Sequence, residues 1–285
     1  TGVTRIAAYA FCGCTALAQV YVPDTVQEIG SSAFRDCSSL TSITLPDSLT
    51  AIDGYAFYEC INVTEITLSQ SLKTISGEVF RECVSLKGIV FPDSLTSISG
   101  GSFTGCESIT YVHLGAGLTS LTVTDFNSCP GLERITVSEE NKKYSSVDGI
   151  LYNKEKTALY AVPAAISGEI TIPSTVEEFS YKAISSCFGI TAIHVEEGSE
   201  YFRSVDGLVY TSAGKRLVAC PRGKQGRVTV EEGVEVIESY MFYQSPAITS
   251  VSLPEGLISI GDHAFFMCKA LESVELPSTL ESIEG

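Results

Sequence analysis

Positive charge is scarce in this chain: 18 lysines and arginines stand against 34 aspartates and glutamates, a formal net charge of -16. That deficit argues against a nucleic-acid surface and against docking on an anionic membrane, since both need clustered Lys and Arg. No apolar run approaches the roughly 18 residues of a membrane span, so no membrane insertion is expected of this segment. Histidine occurs only three times, and no H-E-x-x-H, P-loop, G-x-S-x-G or EF-hand pattern is present. An enzyme reading has no positive support, and no cofactor is expected. Charged residues are few overall (18%) while hydrophobic ones make up 44%, a balance that excludes disorder.

What the chain has in abundance is self-similarity. Phenylalanine recurs at Phe11, Phe34, Phe57, Phe80, Phe103 and Phe126, each 23 residues after the last. Cysteine follows on the same step at Cys14, Cys37, Cys60, Cys83, Cys106 and Cys129, and a strand core at Val20, Ile43, Ile66, Ile89, Val112 and Ile135. A fixed period of this length marks a solenoid, whose windings bury their apolar side only by stacking on one another. In Leu40-Thr-Ser-Ile43-Thr-Leu45-Pro46 the alternation from Ile43 onward is that of a half-buried strand, and the proline ends it. A second extended piece covers Leu49–Ile52. The stretch from Asp53 to Phe57 then reads as a turn leading into about one helical turn closed by Cys60. The expected fold is therefore an α/β repeat solenoid, a superhelix of stacked windings. It is strand-rich, with a parallel sheet along one face and short helical turns on the other.

The rhythm breaks twice. Strand ends fall 23 residues apart except from Val137 to Ile172 and from Val195 to Val230, which are both 35. The long units, 138–172 and 196–230, resemble each other: Ser146-Val-Asp-Gly-Ile-Leu-Tyr152 against Ser204-Val-Asp-Gly-Leu-Val-Tyr210. Each reads as a β-hairpin insertion, Ile150–Tyr152 with Ala158–Val162 in the first, replacing the helical turn on the side away from the main strand. The expectation is one solenoid over residues 1–285, eleven coils along an axis of roughly 50 Å. Because the chain opens and stops inside a repeat, and solenoids need polar caps, it is expected to be an excerpt of a longer protein.

The string A-F-x-x-C-x-x-L-x-x-I-x-L-P-x-x-L-x-x-I-G resembles the BspA-like, or treponemal-type, leucine-rich repeat. The V-D-G-I-L-Y units resemble a variant repeat common in that family. The Cys lies three residues before Leu40, unlike the commoner leucine-rich repeat, whose Asn or Cys follows the strand. The resemblance covers essentially the whole chain. It implies a bacterial cell-surface or secreted protein, often multi-domain, some members of which adhere to host proteins or other cells.

Eight of the ten cysteines occupy one repeat column, with parallel Cα–Cβ vectors where a disulfide needs convergent ones. The column is expected to be a ladder of buried free thiols, disulfides or metal being the alternatives. The phenylalanine column is expected to be an internal stack of rings. His113 and His194 fall in an outward strand column three coil steps apart, about 14 Å, too far to share a metal; His263 is expected in an exposed turn. Asp148-Gly149 and Asp206-Gly207 read as ordinary turn chemistry rather than calcium sites.

What remains is the outward sheet face, where the central coils carry Tyr111, His113, Glu133, Arg134, Glu169, His194 and Arg227 while the ends carry mostly Thr, Ser and Ala. Such a face is the extended binding surface of many solenoids, and Tyr and Arg are over-represented in hot spots. The hairpins, with Tyr144, Tyr152, Tyr160, Phe202 and Tyr210, are a second protruding candidate. The reading favoured by these features is a non-enzymatic interaction module with a protein ligand. A structural spacer and a carbohydrate-binding surface are the alternatives.

Overall fold

The computed structural model describes residues 2–122, 126 and 128–285. Its contacts divide into two compact units, Thr1–Lys154 and Glu155–Gly285.

In the first unit a typical regular winding contributes two short strands and one chain of turns, although the strand expected at Val20 does not form. The main strands pair in parallel one repeat apart: Ser42–Thr44 with Glu65–Thr67, and Gly88–Val90, Tyr111–Leu114 and Arg134–Val137 with one another. Ile43 lies opposite Ile66, and Ile89, Val112 and Ile135 form one row, so every winding presents its apolar residue at the same height. The central residue of each strand is buried and the next one, such as Thr44 or Thr67, faces out. A second parallel ladder runs through Arg5–Ile6, Glu28–Ile29, Ala51–Ile52, Thr74–Ile75 and Ser97–Ile98.

The third side departs from expectation. Among the described residues there is no α-helix, and the A-F-x-x-C segments are successive turns; a 3-10 turn occurs at Tyr181–Ile184. The cause is a pair of left-handed residues in each winding: Ser32 and Asp36, Tyr55 and Glu59, Glu78 and Glu82 all have φ between 56° and 62°. A right-handed helix cannot propagate through such residues, each of which costs about 1 kcal/mol or more of backbone strain. The backbone groups thus turned sideways pair with the next winding instead of with residue i−4. Phe34 N donates to Ala56 O at 2.8 Å, Asp36 N to Tyr58 O at 2.8 Å and Phe57 N to Val79 O at 3.0 Å. The α/β class with short helical turns is therefore corrected to a strand-and-turn solenoid.

The rings of Phe11, Phe34, Phe57, Phe80, Phe103 and Phe126 stack with centroids 5.2 to 6.0 Å apart, all buried except the exposed Phe11 at the end of the row. All ten cysteines are free. Each buried column thiol of this unit donates to the ring residue of the preceding winding, as Cys60 Sγ to Phe34 O, Cys83 to Phe57 O and Cys106 to Phe80 O, all 3.1 Å. Burial keeps these thiols protonated, pushing Cys37 up to about 11 and Cys60 to about 12. Each phenylalanine removed from water contributes about 1.5–3 kcal/mol, so the ladder is the spine of the unit.

The first hairpin pairs Tyr144–Val147 with Ile150–Asn153 around Asp148-Gly149. Both turn residues have positive φ, 50° and 80°, as the tightest hairpin turn requires. The expected hairpin is present, since Ile150–Asn153 is the middle strand of a three-stranded sheet and also pairs with Leu159–Ala161. The insertion is not confined to the side away from the main strand. Gly149 O accepts from Ile135 N at 2.9 Å, so the hairpin tip sits against the main strand, where the next main strand would otherwise pair. The hairpin consequently lies over the interior of its winding, and Tyr144 and Tyr152 are buried.

The second unit repeats this device. Phe202–Val205 and Leu208–Thr211 turn at Asp206-Gly207, and Gly207 O accepts from Ile193 N at 3.0 Å. Leu208–Thr211 also pairs antiparallel with Arg216–Ala219, which starts this unit's own parallel ladder through Val236–Ile237, Ser259–Ile260 and Ser282–Ile283. Main strands form two pieces, Ser167–Ile172 with Gly189–Val195, and Gly226–Thr229 with Ile248–Ser252 and Ser273–Glu275. Phe202 and Tyr210 are buried and Tyr160 half-buried. Four of the five hairpin aromatics are therefore core residues rather than a protruding contact surface, Tyr160 alone staying half-buried.

The turn column of this unit is patched. Phe242 stacks on Phe265 at 5.1 Å, while Ile184 stands where a phenylalanine would be expected. The hairpin winding supplies no ring, and Arg222 lies between Phe188 and Tyr243, its guanidinium 5.1 and 5.2 Å from their centroids. Ser245 occupies the cysteine position, fully buried, with no hydrogen-bond partner for its hydroxyl.

Candidate ligand-binding face

The candidate residues fall on the main-strand faces of both units, four in the first and three in the second. In the first unit the register places Gly88, Tyr111 and Arg134 in one row and Val90, His113 and Thr136 in the next. Tyr111 lies flat across Gly88: a Cβ added to that glycine would meet the ring's Cε1 at 2.2 Å. Arg134 then stands 5.6 Å from the ring centroid, with its guanidinium 3.9 Å from Glu133. His113 Nδ1 meets Thr136 Oγ1 at 2.9 Å. The structure thus brings Tyr111, Glu133 and Arg134 into one cluster with His113 alongside. Val90 is exposed on the same face. Toward its other end Tyr21, 85% exposed, borders a shallow groove of about 400 Å³ with Ser42 and Thr44.

In the second unit two candidates owe their position to β-bulges. The register shifts between Gly168 and Glu169, and again between Gly226 and Arg227. Both glycines are left-handed, with φ of 82° and 70°, and a bulge of this kind re-aims the side chain that follows it. Glu169 reaches His194, Oε2 to Nε2 2.9 Å, across the step between their strands. Arg227 instead sits above Ser250 and Ser273 in its row, beside the row Thr229, Ser252 and Glu275. These serines, Arg227 and Glu275 line a depression of about 130 Å³. The serines were passed over as the bland remainder of the face. The signal that could have singled them out is the shared Gly-x-[Ile/Val]-Thr-[Ile/Val] ending of the two long units, Gly168–Ile172 and Gly226–Val230.

No group of three or more His, Cys, Asp or Glu side chains among the described residues is arranged to hold a metal ion. What this face offers is aromatic, cationic and hydroxyl contact area fixed on a rigid ladder.

A family model for the BspA type leucine rich repeat region matches residues 4–133 and 225–285 in six copies. A search of curated proteins gave no match. Among solved structures, a leucine rich cell surface protein from Faecalibacterium prausnitzii is 23% identical, covering 96% of this chain and 83% of that one, with a TM-score of 0.64. A leucine-rich repeat protein from Eubacterium ventriosum is 23% identical over 92% of this chain and 80% of that one, TM-score 0.58. Both share the fold. A leucine rich repeat protein of T. pallidum is 36% identical over 47% of this chain, TM-score 0.46, and the match spans 62% of that protein's length. With in-register repeats, ring and thiol columns, and a family model covering most of its residues, the chain belongs to the BspA-type leucine-rich repeat family.

Proposed function

We propose that this chain is a non-enzymatic interaction module, displayed on a bacterial surface or secreted, whose first-unit sheet face binds a protein ligand around Tyr111 and Arg134. The observation that carries this reading is the row Gly88–Tyr111–Arg134, a ring laid flat on backbone with a guanidinium beside it. The ring is fixed against the backbone before any partner arrives, so it has little rotamer freedom left to lose on binding. Tyr and Arg anchors of this kind typically carry 1–4 kcal/mol of a protein interface. Family membership and the surface description of the F. prausnitzii protein support the location and the module class.

The test is binding of the purified chain to a panel of immobilised serum and extracellular-matrix proteins, measured by biolayer interferometry. At least one protein should bind saturably. Tyr111→Ala and Arg134→Ala should each weaken that binding about tenfold or more, with an unchanged circular dichroism spectrum. Gly88→Val, which displaces the Tyr111 ring without removing it, should do the same. A structural spacer would show no ligand to lose, and binding indifferent to all three substitutions would remove the sheet face from the account.

A further inference from the structure

The second unit's sheet face carries a different chemistry, and it points to a different ligand. Arg227 has no carboxylate within ion-pair distance and no side-chain hydrogen bond among the described residues; the same holds for Ser250, Ser252, Ser273 and Glu275. Several other charged side chains of this unit are satisfied in-chain. Glu169 holds His194, Arg203 holds Glu231, Arg216 holds Glu238 and Lys215 holds Glu235. Around the depression, a guanidinium, a carboxylate and three hydroxyls converge with their bonding capacity unspent.

The placement is built into the backbone. Gly226 at φ 70° creates the bulge that aims Arg227, and nothing lies within 4 Å of its missing Cβ, so conformation rather than crowding demands glycine there. Val228, Val251 and Val274 point inward between the two outward rows and keep the floor rigid. Arg227 and Glu275 stand at opposite corners, two strand steps across and two residues along, a Cα separation of about 12 Å. The site is bipolar: at one corner it donates to an anion, at the other it accepts from hydroxyls, and serines do either in between.

We propose that this depression binds an acidic monosaccharide unit of a glycan, a uronic or sialic acid type residue. Its carboxylate takes the fork of Arg227, its ring hydroxyls donate to Glu275, and Ser250, Ser252 and Ser273 bridge the middle. A neutral sugar leaves the guanidinium unmatched. A purely anionic ligand, such as an acidic peptide, meets the Glu275 carboxylate as a repulsive corner. A ring carrying one carboxylate and several hydroxyls satisfies both ends, and the open depression of about 130 Å³ would seat part of one such ring.

The experiment is a glycan array followed by titration calorimetry of the whole chain with glucuronate- and sialate-terminated oligosaccharides and their neutral counterparts. Acidic glycans should bind and neutral ones should be at least tenfold weaker. Arg227→Ala should abolish the difference, Arg227→Lys should keep part of it, and Glu275→Gln should weaken acidic glycans severalfold while admitting acidic peptides. Gly226→Ala, which opposes the left-handed bulge, should lower affinity with Arg227 still present. Tyr111→Ala should leave glycan binding unchanged, which separates this site from the protein-binding face of the first unit. The proposal is overturned if neutral glycans bind equally well, if Arg227→Ala binds unchanged, if poly-glutamate competes as well as the acidic sugar, or if no acidic glycan binds at millimolar concentration.

Discussion

The two units fill the same repeat positions by different means. In Thr1–Lys154 the turn column follows one rule, an unbroken series of stacked phenylalanines with a thiol donating to each preceding carbonyl. In Glu155–Gly285 the column is met by exceptions: Ile184 for a ring, Arg222 wedged between Phe188 and Tyr243, Ser245 for a thiol. The difference teaches that the repeat constrains volume and backbone pairing more than residue identity. Thiols suit the column because a buried sulfur loses little when its weak hydrogen bond is poor, whereas a buried hydroxyl does not share that tolerance.

Breaking the regular column should cost most. Phe80→Ala removes a fully buried ring flanked at 6.0 and 5.7 Å by two others, and should lower stability by about 3–5 kcal/mol in urea denaturation. A loss under 1 kcal/mol would mean the stack is not the spine. Arg222→Ala should cost less, about 1–3 kcal/mol, because it empties the space between two rings. Arg222→Met should recover most of that loss, since burial already disfavours the charge and lowers the guanidinium's proton affinity. If methionine is as damaging as alanine, the charge rather than the filling matters.

A pH series sharpens the same contrast. Cys37 and Cys60 hold their protons up to about 11 and about 12 in the folded chain, against 9.0 when exposed, because burial disfavours the thiolate. Between those values the folded state binds more protons than the unfolded one. Stability is therefore full below pH 9 and falls as pH climbs from about 9 toward 12. Thermal denaturation from pH 7 to 11 should show this slope, and Cys60→Ala should flatten it. Smallest in size, but opposite in sign, is Ser245→Cys. Restoring a thiol where a buried hydroxyl lacks a partner should stabilise by about 1 kcal/mol, read as a higher denaturation midpoint.

Much of this architecture was legible in the residues. The Phe and Cys columns, the strand rows through Ile43, Ile66, Ile89, Val112 and Ile135, and the two hairpin units are periodic, and periodicity survives in sequence. Non-glycine residues in left-handed conformation were not legible. Nothing in the types Ser32, Tyr55 or Glu78 announces positive φ, and A-F-x-x-C has the length of a helical turn, so a helix was expected where turns occur. The hairpin from Ile150 to Val162 was legible, but the added strand Tyr144–Val147 and the bond from Ile135 N to Gly149 O were not, because they depend on three-dimensional closure. The hairpin aromatics were therefore expected on the surface, when four of the five are core. On the face, Tyr111 and Arg134 stood out by type, and the register that joins them followed from the repeat. That Tyr111 rests on Gly88, and that bulges at Gly168 and Gly226 give Glu169 a partner and Arg227 none, emerges only in the fold.

The central claim is that within each unit successive windings share a closed interior of rings and thiols, leaving the sheet faces free to bind. Native-state thiol labelling with a chromogenic disulfide, followed residue by residue by mass spectrometry, tests it most directly. Cys12 and Cys14, which are exposed, should react at once, Cys268 more slowly, and Cys60, Cys83 and Cys106 only on unfolding. Reaction of Cys60, Cys83 or Cys106 at the rate of Cys12 in the native protein would contradict the account.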